Sequence, residues 1–102
     1  MAFSGSEGTI IEIGTAHTLT YAYQEAHPDE VKGYFFGKNK LMSLLSQTGC
    51  VGIRVYFGLE DSTPKLVLVG AKSNEDDMTG LILDGGCPSP PETGASNTLN
   101  NI

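Results

Sequence analysis

A chain of 102 residues fits one domain and buries roughly two thirds of the surface its unfolded form exposes, enough for one core and too little for a deep internal site. Twelve Asp and Glu against six Lys and Arg leave a formal charge of -6, which argues against general binding to nucleic acid and electrostatic attachment to anionic lipid. No apolar run approaches the ~20 residues that span a bilayer, and MAFSGSEG lacks the basic start and apolar segment of a secretory leader. The expected setting is therefore the cytoplasm, short of export or packaging by a dedicated machine.

Residues 1–8 are small and polar and read as a flexible N-terminal arm. Ile10, Ile11 and Ile13 form an apolar cluster suited to an edge strand or to packing beneath the first helix. Thr15 is placed to cap that helix. Over 16–26 the apolar positions Leu19, Ala22, Tyr23 and Ala26 recur at helical spacing, and His27-Pro28 ends the run because the residue before proline is driven out of the helical region. Residues 31–36 (VKGYFF) predict a strand. Residues 38–47 predict a second helix, with Leu41, Leu44 and Leu45 on one face and Gly49 as its stop.

CVGIRVYFGL, at 50–59, carries the clearest pattern. Val51, Ile53, Val55, Phe57 and Leu59 alternate with Gly52, Arg54, Tyr56 and Gly58, the period of a half-buried strand. The first set is expected to face the core and the second to face away. EDSTP, at 60–64, is a turn. KLVLVGA, at 65–71, is an unbroken apolar strand of the kind covered on both faces. The short connection makes the two an antiparallel hairpin. The polar stretch 73–77 is a second turn, and 81–83 a last short strand or a buried segment following the turn. Residues 87–102 lack periodicity and read as a Pro/Asn/Ser-rich C-terminal arm. The expected architecture is α+β: about four mainly antiparallel strands packed against two helices, in a single domain over 9–86, ordered (β)-α-β-α-β-β-β.

The block from HPDEVKGYFFGKNK through GIRVYFG and LVLVG to Cys87-Pro88 resembles a group of small uncharacterised proteins common in Bacteroidetes. The resemblance covers roughly residues 12–91. It implies the same order of elements and supplies no mechanism, since no activity is attached to that group. Relatives often carry a second Cys just after Pro-Pro, whereas here Pro90-Pro91 precede Glu92-Thr93.

Constellations that carry chemistry are sparse. There is no Gly-x-Ser-x-Gly elbow, phosphate loop or dinucleotide fingerprint, so no enzyme and no cofactor are expected. Cys50, Cys87, His17 and His27 are each isolated, whereas structural zinc takes ligands in closely spaced pairs. Cys50 reads as a small buried hydrophobe, Cys87 as an exposed thiol and weak metal candidate, and a bridge between them is not expected in a reducing compartment. Asn74, Glu75, Asp76 and Asp77, like Glu60 and Asp61, offer oxygen to a hard cation, yet the EF-hand spacing and central glycine are missing. Solvated turn charges are the plainer reading. Arg54 and Tyr56 remain: on one strand face, flanked by Gly52 and Gly58, they form a candidate binding surface.

The function expected from these features is a non-catalytic protein-interaction or structural module, acting on a protein partner or on further copies of itself, with no nucleic acid and no membrane. The alternative is a small-ligand or metal-binding regulator that uses the Arg54/Tyr56 face or Cys87.

Overall fold

The alternating segment that begins at Cys50 anchors the architecture seen in the computed structural model, which describes residues 2–91 and 94–100. The elements are α1 (Ile13–Ala26), β1 (Gly33–Phe35), α2 (Lys38–Leu45), β2 (Cys50–Glu60), β3 (Thr63–Lys72), β4 (Asp77–Leu83) and β5 (Cys87–Ser89). The fold is α+β, with a three-stranded antiparallel sheet ordered β2-β3-β4 and a two-stranded sheet of β1 and β5. No described helix is long and apolar enough to cross a membrane. Two compact units share the chain. The first holds Phe36–Gly86 with the N-terminal segment through Gly8, and the second holds Thr9–Phe35 with the segment from Cys87 onward.

In the first unit, β2 and β3 pair without interruption from Gly52 opposite Ala71 to Glu60 opposite Thr63. Asp61 and Ser62 close the hairpin with φ of 51° and 69°, the two positive values of a type I′ turn, whose twist matches that of the strands it joins. The apolar run of β3 makes it the central strand, and Leu68, Val69 and Ala71 are buried there. Leu44 of α2 completes this core at 1% exposure. The helix lies close over Gly70, where an added Cβ would stand 2.8 Å from Gln47 Nε2, 2.9 Å from Cys50 Sγ and 3.4 Å from the Leu44 carbonyl. Glycine is needed there for the approach itself.

The inward set expected along β2 is only partly inward. Val51 and Ile53 are half-buried, but Val55, Phe57 and Leu59 are exposed. The reason is length. An eight-residue helix extends about 12 Å, and an eleven-residue strand about 36 Å. The helix therefore covers one end of the strand and leaves the other bare. β4 also departs from expectation, starting at Asp77 instead of Leu81, because the turn before it is tighter than its composition suggests. Lys72 N–H donates to the Asp76 carbonyl (3.0 Å), Glu75 N–H to the Lys72 carbonyl (2.9 Å), and Asp76 N–H to Asn74 Oδ1 (3.1 Å), so pairing resumes one residue later.

In the second unit, α1 starts three residues before its expected first turn. Its N-cap is Glu12, which makes no side-chain cap bond, so Thr15 lies inside the helix and caps nothing. The stripe of Leu19, Ala22, Tyr23 and Ala26 is exposed. The inner side carries Ala16, His17, Thr20 and the buried Gln24. Its partner is a polar stretch of the C-terminal segment, which offers carbonyls in place of apolar side chains. Gln24 Nε2 donates to the Leu99 carbonyl (2.7 Å), His17 Nδ1 lies 2.6 Å from the Thr98 carbonyl oxygen, and Lys32 Nζ donates to the Asn100 carbonyl (2.7 Å). Residues Ile10 and Ile11 form no strand and are exposed. The start of the expected C-terminal arm is a strand: Cys87–Ser89 pairs antiparallel with Gly33–Phe35. Glu92 and Thr93, which follow Pro90-Pro91, lie outside the described residues.

Candidate functional site

Alternation on β2 puts Gly52, Arg54, Tyr56 and Gly58 on one face, opposite Ala71, Val69, Val67 and Lys65 of β3. The first residue of β4, Asp77, pairs with Ala71 and so joins this face from the other side of the sheet. Both expected side chains converge on it. Arg54 Nη1 donates to Asp77 Oδ1 at 2.5 Å, and Tyr56 Oη donates to Asp77 Oδ2 at 2.5 Å. Arg54 Nη1 also donates to the Glu75 carbonyl (3.1 Å), and the guanidinium carbon lies 5.1 Å from the centre of the Phe3 ring, a cation–π distance. The bridge runs from β2 to β4 across β3, and Val69 and Ala71 of that middle strand are each 3% exposed.

The electrostatics follow from these bonds. The Tyr56 hydroxyl, then the Arg54 guanidinium, hold the Asp77 carboxyl below its usual range against the opposing desolvation. The Asp77 hydrogen bond in turn raises the Arg54 guanidinium further above neutrality. With one oxygen committed to each donor, Asp77 serves as a clamp between strands.

Beside Arg54 lies an open hollow of about 310 Å³, with Phe3, Glu7, Gly52 and Ala71 among its walls. The N-terminal segment that forms one wall is tied down. Phe3 N–H donates to the Ser73 carbonyl (2.7 Å), and the Glu7 carboxylate accepts from Ser4 N–H (2.7 Å) and Gly5 N–H (2.9 Å). These backbone donors keep the Glu7 carboxyl below its usual range.

The remaining candidates stay apart. Cys50 is half-buried and Cys87 exposed, both as free thiols, and Cys50 Sγ donates to the Gly52 carbonyl (3.2 Å). Asp76 Oδ2 accepts from Asn74 Nδ2 (3.1 Å) within its own turn, while its neighbour Asp77 points to Arg54 and Tyr56. His27 Nδ1 is 3.1 Å from Glu30 Oε2. Among the described residues, no group of three or more His, Cys, Asp or Glu is placed to hold a metal ion.

Sequence reasoning placed Arg54 and Tyr56 together but put Asp77 in a turn and left out Phe3 and Glu7. A cation and a phenol on one strand face call for a nearby acceptor, and DMTGLIL after the acidic turn offered one; that was the available signal for Asp77. Nothing in the composition of the first eight residues marked Phe3. The chain matches no known protein family, no curated protein and no solved structure.

Proposed function

We propose that this chain is a non-catalytic protein-interaction or structural module that works through a protein–protein surface, as a homo-oligomer or as a small part of a larger complex. The observation that carries this reading is the bare end of β2, where Phe57 is 90% and Leu59 78% exposed, with Val55 beside them. Large apolar side chains in a row on a folded surface mark a place where another surface sits. The clamp on Asp77 adds support, because it directs the most reactive-looking side chains of the sheet to holding strands together.

A second reading, a small-ligand binder, draws on the hollow beside Arg54, whose volume stands at the lower end of ligand pockets. Cys87 is a further candidate for it as an exposed thiol. Native mass spectrometry of the intact chain with metal analysis separates the two. A defined multimer supports the module, and a monomer carrying a stoichiometric small molecule or metal supports the binder and sinks the first reading.

A further inference from the structure

We infer that β2 pairs antiparallel with β2 of a second copy about a two-fold axis at Phe57, which joins two three-stranded sheets into one. The inference rests on the interaction reading above and names its partner.

β2 is an outer strand of its sheet. Its type I′ turn makes Glu60 and Thr63 the hydrogen-bonded pair that closes the hairpin. Bonding pairs then alternate down the strand, so the even residues bond toward β3. Val55, Phe57 and Leu59 aim their backbone N–H and C=O outward. Pro64, opposite Leu59, agrees with this, because a position whose N–H would point away from β2 costs that pairing nothing when the N–H is missing.

Edge strands are normally blunted by Lys, Pro or a bulge. From Ile53 to Glu60, β2 has neither Lys nor Pro, and its irregularity lies earlier, between Cys50 and Gly52. The opposite edge, β4, is shorter, and its pairing with β3 is broken by a bulge between Val69 and Ala71.

Charge selects the occupant and the register. Arg54 and Glu60 are the only charged residues of β2. An axis at Phe57 sets Arg54 opposite Glu60 of the partner subunit, and the reverse, two opposite-charge pairs on one face. The same axis sets Tyr56 opposite the open backbone of Gly58 of the partner subunit. On the other face, Val55, Phe57 and Leu59 of both copies form one apolar band. An axis one residue away, at Tyr56, would leave Arg54 facing glycine. Within one chain Arg54 Nη1 binds Asp77 and Glu75 and Glu60 Oε1 lies 3.4 Å from Lys65 Nζ; a guanidinium carries five N–H donors, so the pairs across the axis add to these contacts. The strand therefore complements itself, as a two-fold interface requires.

Sedimentation velocity and native mass spectrometry of the full chain test this. The chain should dimerise reversibly. Phe57→Lys and Glu60→Arg should each weaken the dimer by about tenfold or more, and Leu81→Lys on the far strand should leave it unchanged. Phe57 and Glu60 are both exposed, so each variant should stay folded by circular dichroism. A dimer indifferent to both changes overturns β2 pairing and leaves the interaction reading standing. A dimer weakened by Phe57→Lys but not by Glu60→Arg overturns the Phe57 axis. A wild-type monomer overturns the pairing, and if it also retains a small molecule, the interaction reading falls with it.

Discussion

Asp77 shows how much one carboxylate can organise on an open sheet. It accepts from Arg54 and Tyr56 at once, and its depressed pKa ties stability to pH with a definite sign. Well above the ordinary aspartate value of about 4 the carboxyl is ionised in both folded and unfolded chains, and the clamp contributes fully. As pH falls below that, the unfolded chain takes up the proton first and the contribution shrinks. It is gone once pH passes beneath the folded-state value. Urea midpoints of the wild type and of Asp77→Asn should therefore differ at neutral pH and converge in acid; a constant gap from pH 7 to about pH 2 would show that the clamp does not titrate as described. Leu44 is the complementary case, an apolar group at 1% exposure. Leu44→Ala should cost about 2–5 kcal/mol, whereas Phe57→Ala, with its ring in solvent, should leave monomer stability within about 0.5 kcal/mol. Denaturant unfolding at concentrations that keep the chain monomeric checks both.

At the level of elements, the β2–β3 hairpin is held by a turn that asks non-glycine residues to take left-handed backbone angles. Ser62 sits at φ 69°, so Ser62→Gly should raise stability by about 0.5–1 kcal/mol, read as a shift in melting temperature. Gly70 is the reverse case. Gly70→Ala should destabilise by about 1–3 kcal/mol, because the Cys50 sulfur and the Gln47 amide already stand where the methyl group would go. The strands were the most legible part of the sequence, because period two survives in GIRVYFG and an unbroken apolar run in KLVLVG whatever packs against them. What α1 would bury was not legible. Its apolar spacing pointed to Leu19 and Tyr23, but the inner side is set by a distant segment rich in Asn, Thr and Ser, which is matched by polar side chains such as Gln24 and His17. β5 was hidden for a related reason: a three-residue strand containing Pro88 has no periodicity, and only its partner at Gly33–Phe35 reveals it. Of the candidate site, the donors Arg54 and Tyr56 were readable. The acceptor Asp77 was not, since its place depends on how tightly the preceding turn closes.

At the scale of the whole molecule, chain order and spatial grouping part company. The first unit takes the N-terminal segment and Phe36–Gly86, and the second takes what lies between and after them. Deleting the segment from Cys87 onward removes β5 and the carbonyls that receive Gln24 and Lys32, while β2, β3 and β4 keep all their pairings. Hydrogen exchange on that truncated chain should show α1 amides losing protection and β3 amides retaining it. Equal loss in both would mean that the two units fold as one cooperative block.

The antiparallel match of Gly33–Phe35 with Cys87–Ser89 has a consequence for how the polypeptide tolerates scission. A nick at Gly37 would give a short amino-terminal peptide and a longer remainder, and each would hold only half of that two-stranded ribbon. Mixed in solution, the two pieces should find one another again, with Gly33–Phe35 rejoining Cys87–Ser89 and the peptide gaining helical order only on recombination.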